Sequence, residues 1–135
     1  MLNKKNILIT GNTSGIGLEL NKLLLRKNNL YCLSKSHSKI KNKLDLKVNF
    51  LDLKNLKKKL ISTKFPKKFD FVILNAGILG KIDLVKEISV NEFNNILKIN
   101  FLSNKIIIDF LLNKKIKISN VIAISSGAAK SSKDG

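Results

Sequence analysis

The segment from Gly11 to Gly17 has the residue types and the position of a loop that holds a phosphate group. It reads Gly-Asn-Thr-Ser-Gly-Ile-Gly and connects the apolar run Asn6–Thr10 to an amphipathic segment that begins at Gly15. The first glycine permits a sharp exit from a strand, the second lets the backbone approach a pyrophosphate, and the third lets helix and strand pack closely. The helix N-terminus then favours the phosphate charges. The loop therefore predicts a dinucleotide site, with a glycine turn that binds no ligand as the alternative.

Extended and helical patterns alternate along the chain and predict the elements that position this loop. Apolar runs of β-favouring residues predict five strands, at Asn6–Thr10, Leu30–Leu33, Val48–Leu51, Phe69–Leu74 and Ile118–Ser125. Apolar residues at helical spacing predict three helices, over Gly15–Lys27, from Leu53 to Ile61, and from an N-cap at Ser89 to Asn113. The third helix is expected to bury a stripe formed by Val90, Phe93, Leu97, Phe101, Ile108 and Leu111.

Strands and helices that alternate at this spacing indicate βαβ units, whose right-handed crossovers build a parallel sheet covered on both faces. We therefore predict one α/β domain over residues 1–135, a doubly wound, Rossmann-like parallel sheet in a three-layer α/β/α arrangement. Ligands of such sheets bind beyond the carboxyl ends of the strands, where the strand order switches. The ends of the first, fourth and fifth strands, at Thr10, Asn75 and Ser126, should therefore meet at one edge.

Several short motifs occur together in an order and at a spacing that are similar to those of the short-chain dehydrogenase/reductase family. They are Thr10-Gly11, Gly15-Ile16-Gly17, Asn75-Ala76-Gly77, Asn100 and Ile124-Ser125-Ser126, and they extend over essentially the whole chain. The resemblance implies an NAD(P)-dependent oxidoreductase that moves hydride between nicotinamide and a carbonyl or alcohol carbon of a small-molecule substrate. It implies cofactor-binding roles for Thr10, Gly11, Asn12, Ser14, Gly15, Ile16, Gly17, Asp52, Asn75, Ala76 and Gly77.

The resemblance also implies a role for individual polar side chains. Asp52, placed at the end of the third strand, would contact the adenine, and Asn75 would stabilise the sheet near the cofactor ribose. Asn100 would support a water-linked proton relay, and Ser126 would hydrogen-bond the reacting oxygen, which makes these two the candidate catalytic residues. The residues themselves leave alternatives open, because Asp52 could cap the following helix and Asn100 could interrupt a helix face.

The end of the second strand indicates which dinucleotide the site prefers. An NAD site usually presents an acidic residue there for the ribose 2′-OH, whereas an NADP site presents a cation for the 2′-phosphate. The sequence here is Ser34-Lys35-Ser36, with no carboxylate nearby. We therefore expect Ser34 and Lys35 to bind NADP, with NAD as the alternative because lysine is abundant throughout the chain.

The family's Tyr-xxx-Lys pair, in which lysine lowers the pKa of the tyrosine, has no match in this sequence. The one tyrosine is Tyr31, in the second strand, and the pair would be expected just beyond Gly135. The fifth strand is apolar on both faces, and nothing after it could form the next helix. We therefore expect an N-terminal fragment, truncated after the fifth strand. A noncatalytic nucleotide-binding or assembly module is the alternative.

The net charge of +17 raises a third alternative, a basic protein that binds polyanions. Nearly all of the positive charge is lysine spread along the chain, and Arg26 is the one arginine. Because proteins that recognise nucleic acids usually use the guanidinium fork, we expect no specific nucleic-acid partner.

Cysteine content and the length of the apolar runs bear on metal sites, membrane spans and the cellular compartment. The single cysteine, Cys32, excludes an internal disulfide framework and a cysteine-cluster metal site. No apolar run approaches the ~20 residues of a membrane span, and Met1–Asn6 is followed by no signal-peptide core. We therefore expect a cytoplasmic protein with no metal and no membrane partner. The resemblance implies pairing into a homo-oligomer through the long helix.

Overall fold

Five parallel strands form one sheet in the computed structural model, which describes residues 4–81 and 83–126. The strands are β1 (Asn6–Thr10), β2 (Asn29–Ser34), β3 (Leu44–Lys47), β4 (Lys68–Leu74) and β5 (Lys117–Ala123). The helices are α1 (Gly15–Leu25), α2 (Leu53–Ser62), α3 (Val90–Leu97) and α4 (Ser103–Asn113), with a 3₁₀ turn at Val85–Glu87 and a π-helical turn at Lys98–Leu102. The strand order is β3-β2-β1-β4-β5, so the order switches between β1 and β4.

The sheet is covered on both faces because successive residues of its strands point to opposite sides. In β1, Ile7 and Ile9 pack beneath Leu20 and Leu24 of α1. Leu8 lies on the other face, in a cluster with Leu56 and Leu60 of α2 and with Ile107 and Leu111 of α4. This arrangement confirms the predicted three-layer, doubly wound α/β fold, in which strands apolar on both faces are the rule.

The predicted position of the third strand is wrong. The strand is Leu44–Lys47, which pairs with Tyr31–Ser34, and the expected strand Val48–Leu51 forms the connection to α2 instead. Leu44 and Leu46 alternate with charged residues, as expected of an edge strand with one face towards the core. The run that begins at Val48 is apolar because Val48 and Phe50 are buried from a loop.

The predicted inner stripe of the third helix is also wrong over its first half. Val90 and Phe101 are 76% and 66% exposed, and Phe93 and Leu97 are exposed as well. Over the second half, Leu111 is buried and Ile108 is partly buried against the core, where the fully buried neighbour is Ile107. The reason is the π-helical turn at Lys98–Leu102, whose extra residue rotates the face that α4 presents relative to α3. The expected N-cap is present, because the Ser89 hydroxyl accepts a hydrogen bond from the Glu92 N–H at 3.1 Å.

The end of α4 gives a prediction about stability. Lys115 has a φ of +55°, and the Ile116 N–H donates to the Leu111 carbonyl at 2.9 Å, which closes the helix in a left-handed turn. Glycine adopts this conformation without steric cost, so Lys115→Gly should raise the free energy of unfolding by about 0.5–1 kcal/mol. Urea unfolding measures this change. Lys114→Gly is the control, since Lys114 has a φ of −80°, and an equal gain there would contradict the explanation.

Candidate functional site

The carboxyl ends of β1 and β4, where the strand order switches, are tied together by two side chains. The backbone N–H groups of Asn75 and Ala76 donate to Thr10 Oγ1 at 3.0 and 2.9 Å. Asn75 Nδ2 donates in return to the carbonyls of Thr10 and Gly11, at 3.1 and 2.9 Å. Because Thr10 is fully buried, these bonds replace water for groups that would otherwise be unpaired. They hold the loops after the two strands in fixed relative positions.

Packing against these bonds explains two of the three glycines in the loop after β1. A Cβ on Gly17 would overlap the Gly11 carbonyl oxygen and lie 2.5 Å from Asn75 Nδ2. A Cβ on Gly11 would lie 2.9 Å from the Ala76 Cα, and Gly11 has a φ of +70°. Both positions therefore require glycine for the fold itself.

Gly15 is different, because a Cβ there would meet no atom within 4 Å. Its φ is +52°, and Ser14, Gly15 and Ile16 are all exposed at the start of α1. Ser14 makes no side-chain capping bond, and the first turn contains no acidic residue. The N–H groups of this turn are thus available to an anion, which the helix dipole also favours. This end of α1 fits a phosphate group.

A groove of about 490 Å³ runs along this edge of the sheet. It brings together most of the predicted cofactor-binding residues, namely Gly11, Ser14, Ile16, Ser34, Lys35, Asn75, Ala76 and Gly77. Six further lining residues were not predicted from the sequence, namely Thr13, Ser36, Phe50, Ile78, Ile99 and Ile124. Phe50 was missed because its segment was expected to be a strand, whereas it lies in the connection between β3 and α2. The groove is apolar at one end and polar at the other.

Five predicted cofactor residues do not line the groove, and one of them, Gly15, lies at the exposed start of α1 between Ser14 and Ile16, which do line it. Thr10, Asn12 and Gly17 are buried behind it. Neither side-chain polar atom of Asn12 has a hydrogen-bond partner among the described residues. Asp52 does not follow β3 directly, since β3 ends at Lys47, and its carboxylate accepts from the Asn55 N–H at 2.9 Å. The alternative role of Asp52 as the N-cap of α2 is therefore what the structure contains.

Neither candidate catalytic residue lines the groove, but Asn100 is hydrogen-bonded to the lining residue Ile78, and Ser126 is two residues after the lining residue Ile124. Asn100 is in the π-helical turn, and its amide pairs with the backbone of Ile78 through Nδ2 and Oδ1, each at 2.8 Å. π-helical turns occur often at functional sites. Ser126 is exposed and follows Ile124, whose N–H donates to the Leu74 carbonyl at 3.0 Å. Asn100 therefore fixes the segment after Gly77, and the chain beyond β5 stays beside β4 as far as Ile124.

Other chemistries have little support in the part of the chain that the structure describes. No group of three or more histidine, cysteine or acidic side chains there could hold a metal ion. Burial raises the pKa of the Cys32 thiol, with the Asp45 carboxylate as the smaller cause, so Cys32 is not an activated nucleophile. Burial also raises the pKa of Tyr31, whose ring packs edge-on against Phe69. Among residues 4–81 and 83–126, no helix is both long enough and apolar enough to span a membrane.

Comparison with known proteins points to the same family that the sequence motifs resemble. A family model described as short chain dehydrogenase matches residues 5–135. An uncharacterized oxidoreductase of Schizosaccharomyces pombe is 33% identical over an alignment of 135 positions, which covers 93% of this chain and 55% of that protein. This chain therefore spans about half the length of that relative.

Solved structures show the same fold. A short chain dehydrogenase of Leptospira borgpetersenii with bound NAD⁺ has a TM-score of 0.80 and 22% identity, and the match covers 98% of this chain and 56% of that one. One from Escherichia coli complexed with NADPH has a TM-score of 0.82 and 20% identity, and the match covers 98% of this chain and 62% of that one.

Proposed function

Because this chain belongs to the short chain dehydrogenase family, we propose that it forms the NADP(H)-binding part of an oxidoreductase. The observation that carries the proposal is the groove, which joins the uncapped start of α1 to Lys35 at the end of β2. The substrate class that we propose is a small carbonyl compound or alcohol, acted on in the cytoplasm. We propose neither a membrane nor a specific nucleic acid as a partner.

The start of α1 is the proposed pyrophosphate site. The exposed N–H groups of its first turn supply hydrogen bonds and the positive end of the helix dipole, and no carboxylate in that turn opposes an anion. Gly15 leaves open space where any larger side chain would project. Asn75 and Thr10 hold the opposite wall of the groove, so the site is preorganised.

Charge beyond the end of β2 supports NADP over NAD. The Ser34 Oγ donates to the Ser36 carbonyl at 2.7 Å, and Lys35 is the one ionisable residue among the described residues that line the groove. An adjoining pocket of about 540 Å³ is lined by Lys35, Lys47 and Lys59 and by no carboxylate. A cluster of cations of this kind favours the extra phosphate of NADP.

The cofactor, when bound, supplies hydride transfer at its nicotinamide ring. The side chains of Ile78, Ile99 and Ile124 form the apolar end of the groove, where they exclude water. Asn100 acts as a positioning residue for the Ile78 backbone, and we assign to Ser126 a hydrogen bond to the reacting oxygen. Tyr31 is not the proton donor, because it lies in β2 among core residues and burial raises its pKa.

A titration of the chain with NADPH and with NADH, followed by nicotinamide fluorescence, tests the proposal. It is run at about 150 mM salt to weaken nonspecific attraction to the lysines. We expect both nucleotides to bind, and NADPH to bind more tightly. A folded chain that binds neither would contradict the proposed site.

The preference for NADPH should depend on Lys35. Lys35→Gln removes one cation near the 2′-phosphate, so we expect NADPH to bind about tenfold more weakly while NADH binding changes little. The control is Lys39→Gln, an exposed lysine of the same connection that does not line the groove. Equal losses of NADPH affinity in the two variants would mean that Lys35 acts only through net charge.

We also propose that two copies of the protein pair through α3 and the π-helical turn that follows it. The support is the exposed apolar stripe of Val90, Phe93, Leu97 and Phe101, since contiguous apolar patches on a protein surface commonly mark interfaces. Sedimentation of the native chain and of Phe101→Asp tests this pairing. A monomer in both cases would contradict it.

A further inference from the structure

A second groove lies at the opposite edge of the sheet, where β4 and β5 begin. It has a volume of about 710 Å³ and is lined by the α2–β4 connection, the end of α4 and the start of β5. We call it the basal groove, and its lining residues are Ile61, Thr63, Phe65, Pro66, Lys67, Lys68, Phe110, Lys114, Lys115, Ile116 and Lys117. It shares no residue with the groove of the proposed nucleotide site.

Every ionisable residue that lines the basal groove is a lysine. Lys68 pairs with Asp70 at 3.0 Å, but Lys67, Lys114, Lys115 and Lys117 form no ion pair with any residue that the structure describes. These lysines come from two segments far apart in the sequence, which the sheet brings together through the bond from the Lys117 N–H to the Lys67 carbonyl, at 3.1 Å. The fold therefore concentrates unneutralised positive charge at this position.

The floor of the basal groove is apolar. Phe65 and Phe110 are half-buried and meet edge to face, with ring centroids 5.9 Å apart. The floor continues into a furrow of about 550 Å³ between α2 and α4, which shares Ile61, Phe110 and Lys114 with the basal groove. The one carboxylate of the furrow, Asp109, already pairs with Lys105. An apolar track is thus bordered by lysines, and of those that line the basal groove all but Lys68 form no ion pair among the described residues.

We propose that the basal groove and its furrow bind an acidic segment of another protein, with apolar side chains on the floor and carboxylates on the lysines. Charge complementarity is the argument for this occupant, because an acidic segment would neutralise the unpaired lysines and be steered to them. Nucleic acid fits less well, since the rings pack edge to face and offer no flat stacking surface, and no arginine is present. A small molecule would be poorly enclosed, since Ile61 is 64% exposed.

Fluorescence anisotropy with two labelled synthetic peptides tests the proposal at about 150 mM salt. Both peptides carry the same number of glutamates, and only one carries phenylalanine and leucine between them. We expect the peptide with apolar residues to bind about tenfold more tightly than the peptide with glycine in their place. Saturating NADPH should leave this binding unchanged, so the test does not depend on the proposed nucleotide site.

Matched charge variants separate the basal groove from general attraction. The double variant Lys114→Gln and Lys117→Gln should weaken binding of the apolar peptide about tenfold. The control, Lys54→Gln and Lys58→Gln, removes the same charge from the exposed face of α2 outside both grooves, and should change binding less than about twofold. Equal weakening in both variants, equal binding of the two peptides, or displacement of the peptide by a single-stranded oligonucleotide of equal charge would each overturn the proposal.

Discussion

Replacing Gly15 with aspartate should lower the affinity for NADPH by about 100-fold or more while leaving the fold intact. The new carboxylate would stand at the exposed start of α1, where we place the pyrophosphate, and like charges brought together there repel strongly. The fold should tolerate the change, because a Cβ on Gly15 meets open space and aspartate accepts a left-handed φ better than most residues. A negative charge also suits a helix N-terminus. The measurement is a fluorescence titration paired with a thermal melt.

Gly15→Asn is the matched control, since asparagine has nearly the same size and the same tolerance of a left-handed φ but carries no charge. We expect its NADPH affinity to fall by less than about tenfold. If the asparagine variant lost as much affinity as the aspartate variant, bulk and not charge would be responsible. If the aspartate variant bound NADPH normally, the pyrophosphate would not lie at this helix.

Gly17→Ala should lower the free energy of unfolding by about 2–3 kcal/mol, although it adds only one methyl group. That methyl group would overlap the Gly11 carbonyl oxygen and crowd Asn75 Nδ2, which itself bonds that oxygen. The chain must then separate α1 from β1 or break the bonds between β1 and β4. Urea unfolding gives the change from the shift of the midpoint.

The same substitution at Gly15 is the control for Gly17→Ala. Gly15→Ala has space for its methyl group and loses only the left-handed φ preference, about 1 kcal/mol. The difference between the two alanine variants therefore isolates close packing from backbone conformation. Equal destabilisation in both would contradict the packing role of Gly17.

The features that the sequence predicts best are local ones. β1 has the predicted bounds, Asn6–Thr10, because a β-favouring apolar run meets a glycine turn there. The Ser89 cap of α3 was likewise predictable from a hydroxyl three residues before a glutamate. The convergence of Thr10 and Asn75 followed from topology, since parallel strands on either side of a switch point end at the same edge.

The features that the sequence does not reveal depend on tertiary packing. Val48 and Phe50 look like a strand but are buried from a loop, and the strand that pairs with β2 is Leu44–Lys47, which is only half apolar. The stripe from Val90 to Phe101 follows helical spacing and is nevertheless exposed, and the π-helical turn at Lys98–Leu102 gives α4 a different register, so that α4 reaches the core with another face. No periodic pattern marks the extra residue of such a turn. The basal groove is also invisible in the sequence, where its lysines are separated and look like solvated faces.

The most direct test of the nucleotide site is a two-dimensional ¹⁵N–¹H NMR titration of the chain with NADPH, because it reports where the nucleotide binds as well as whether it does. We expect the largest shift changes at the amides of Gly11–Gly17, Ser34–Ser36 and Asn75–Ile78, which surround the groove. Changes spread over the exposed lysines, or concentrated at Phe65–Lys68 and Lys114–Lys117, would show that charge alone attracts the nucleotide and would contradict the proposed site.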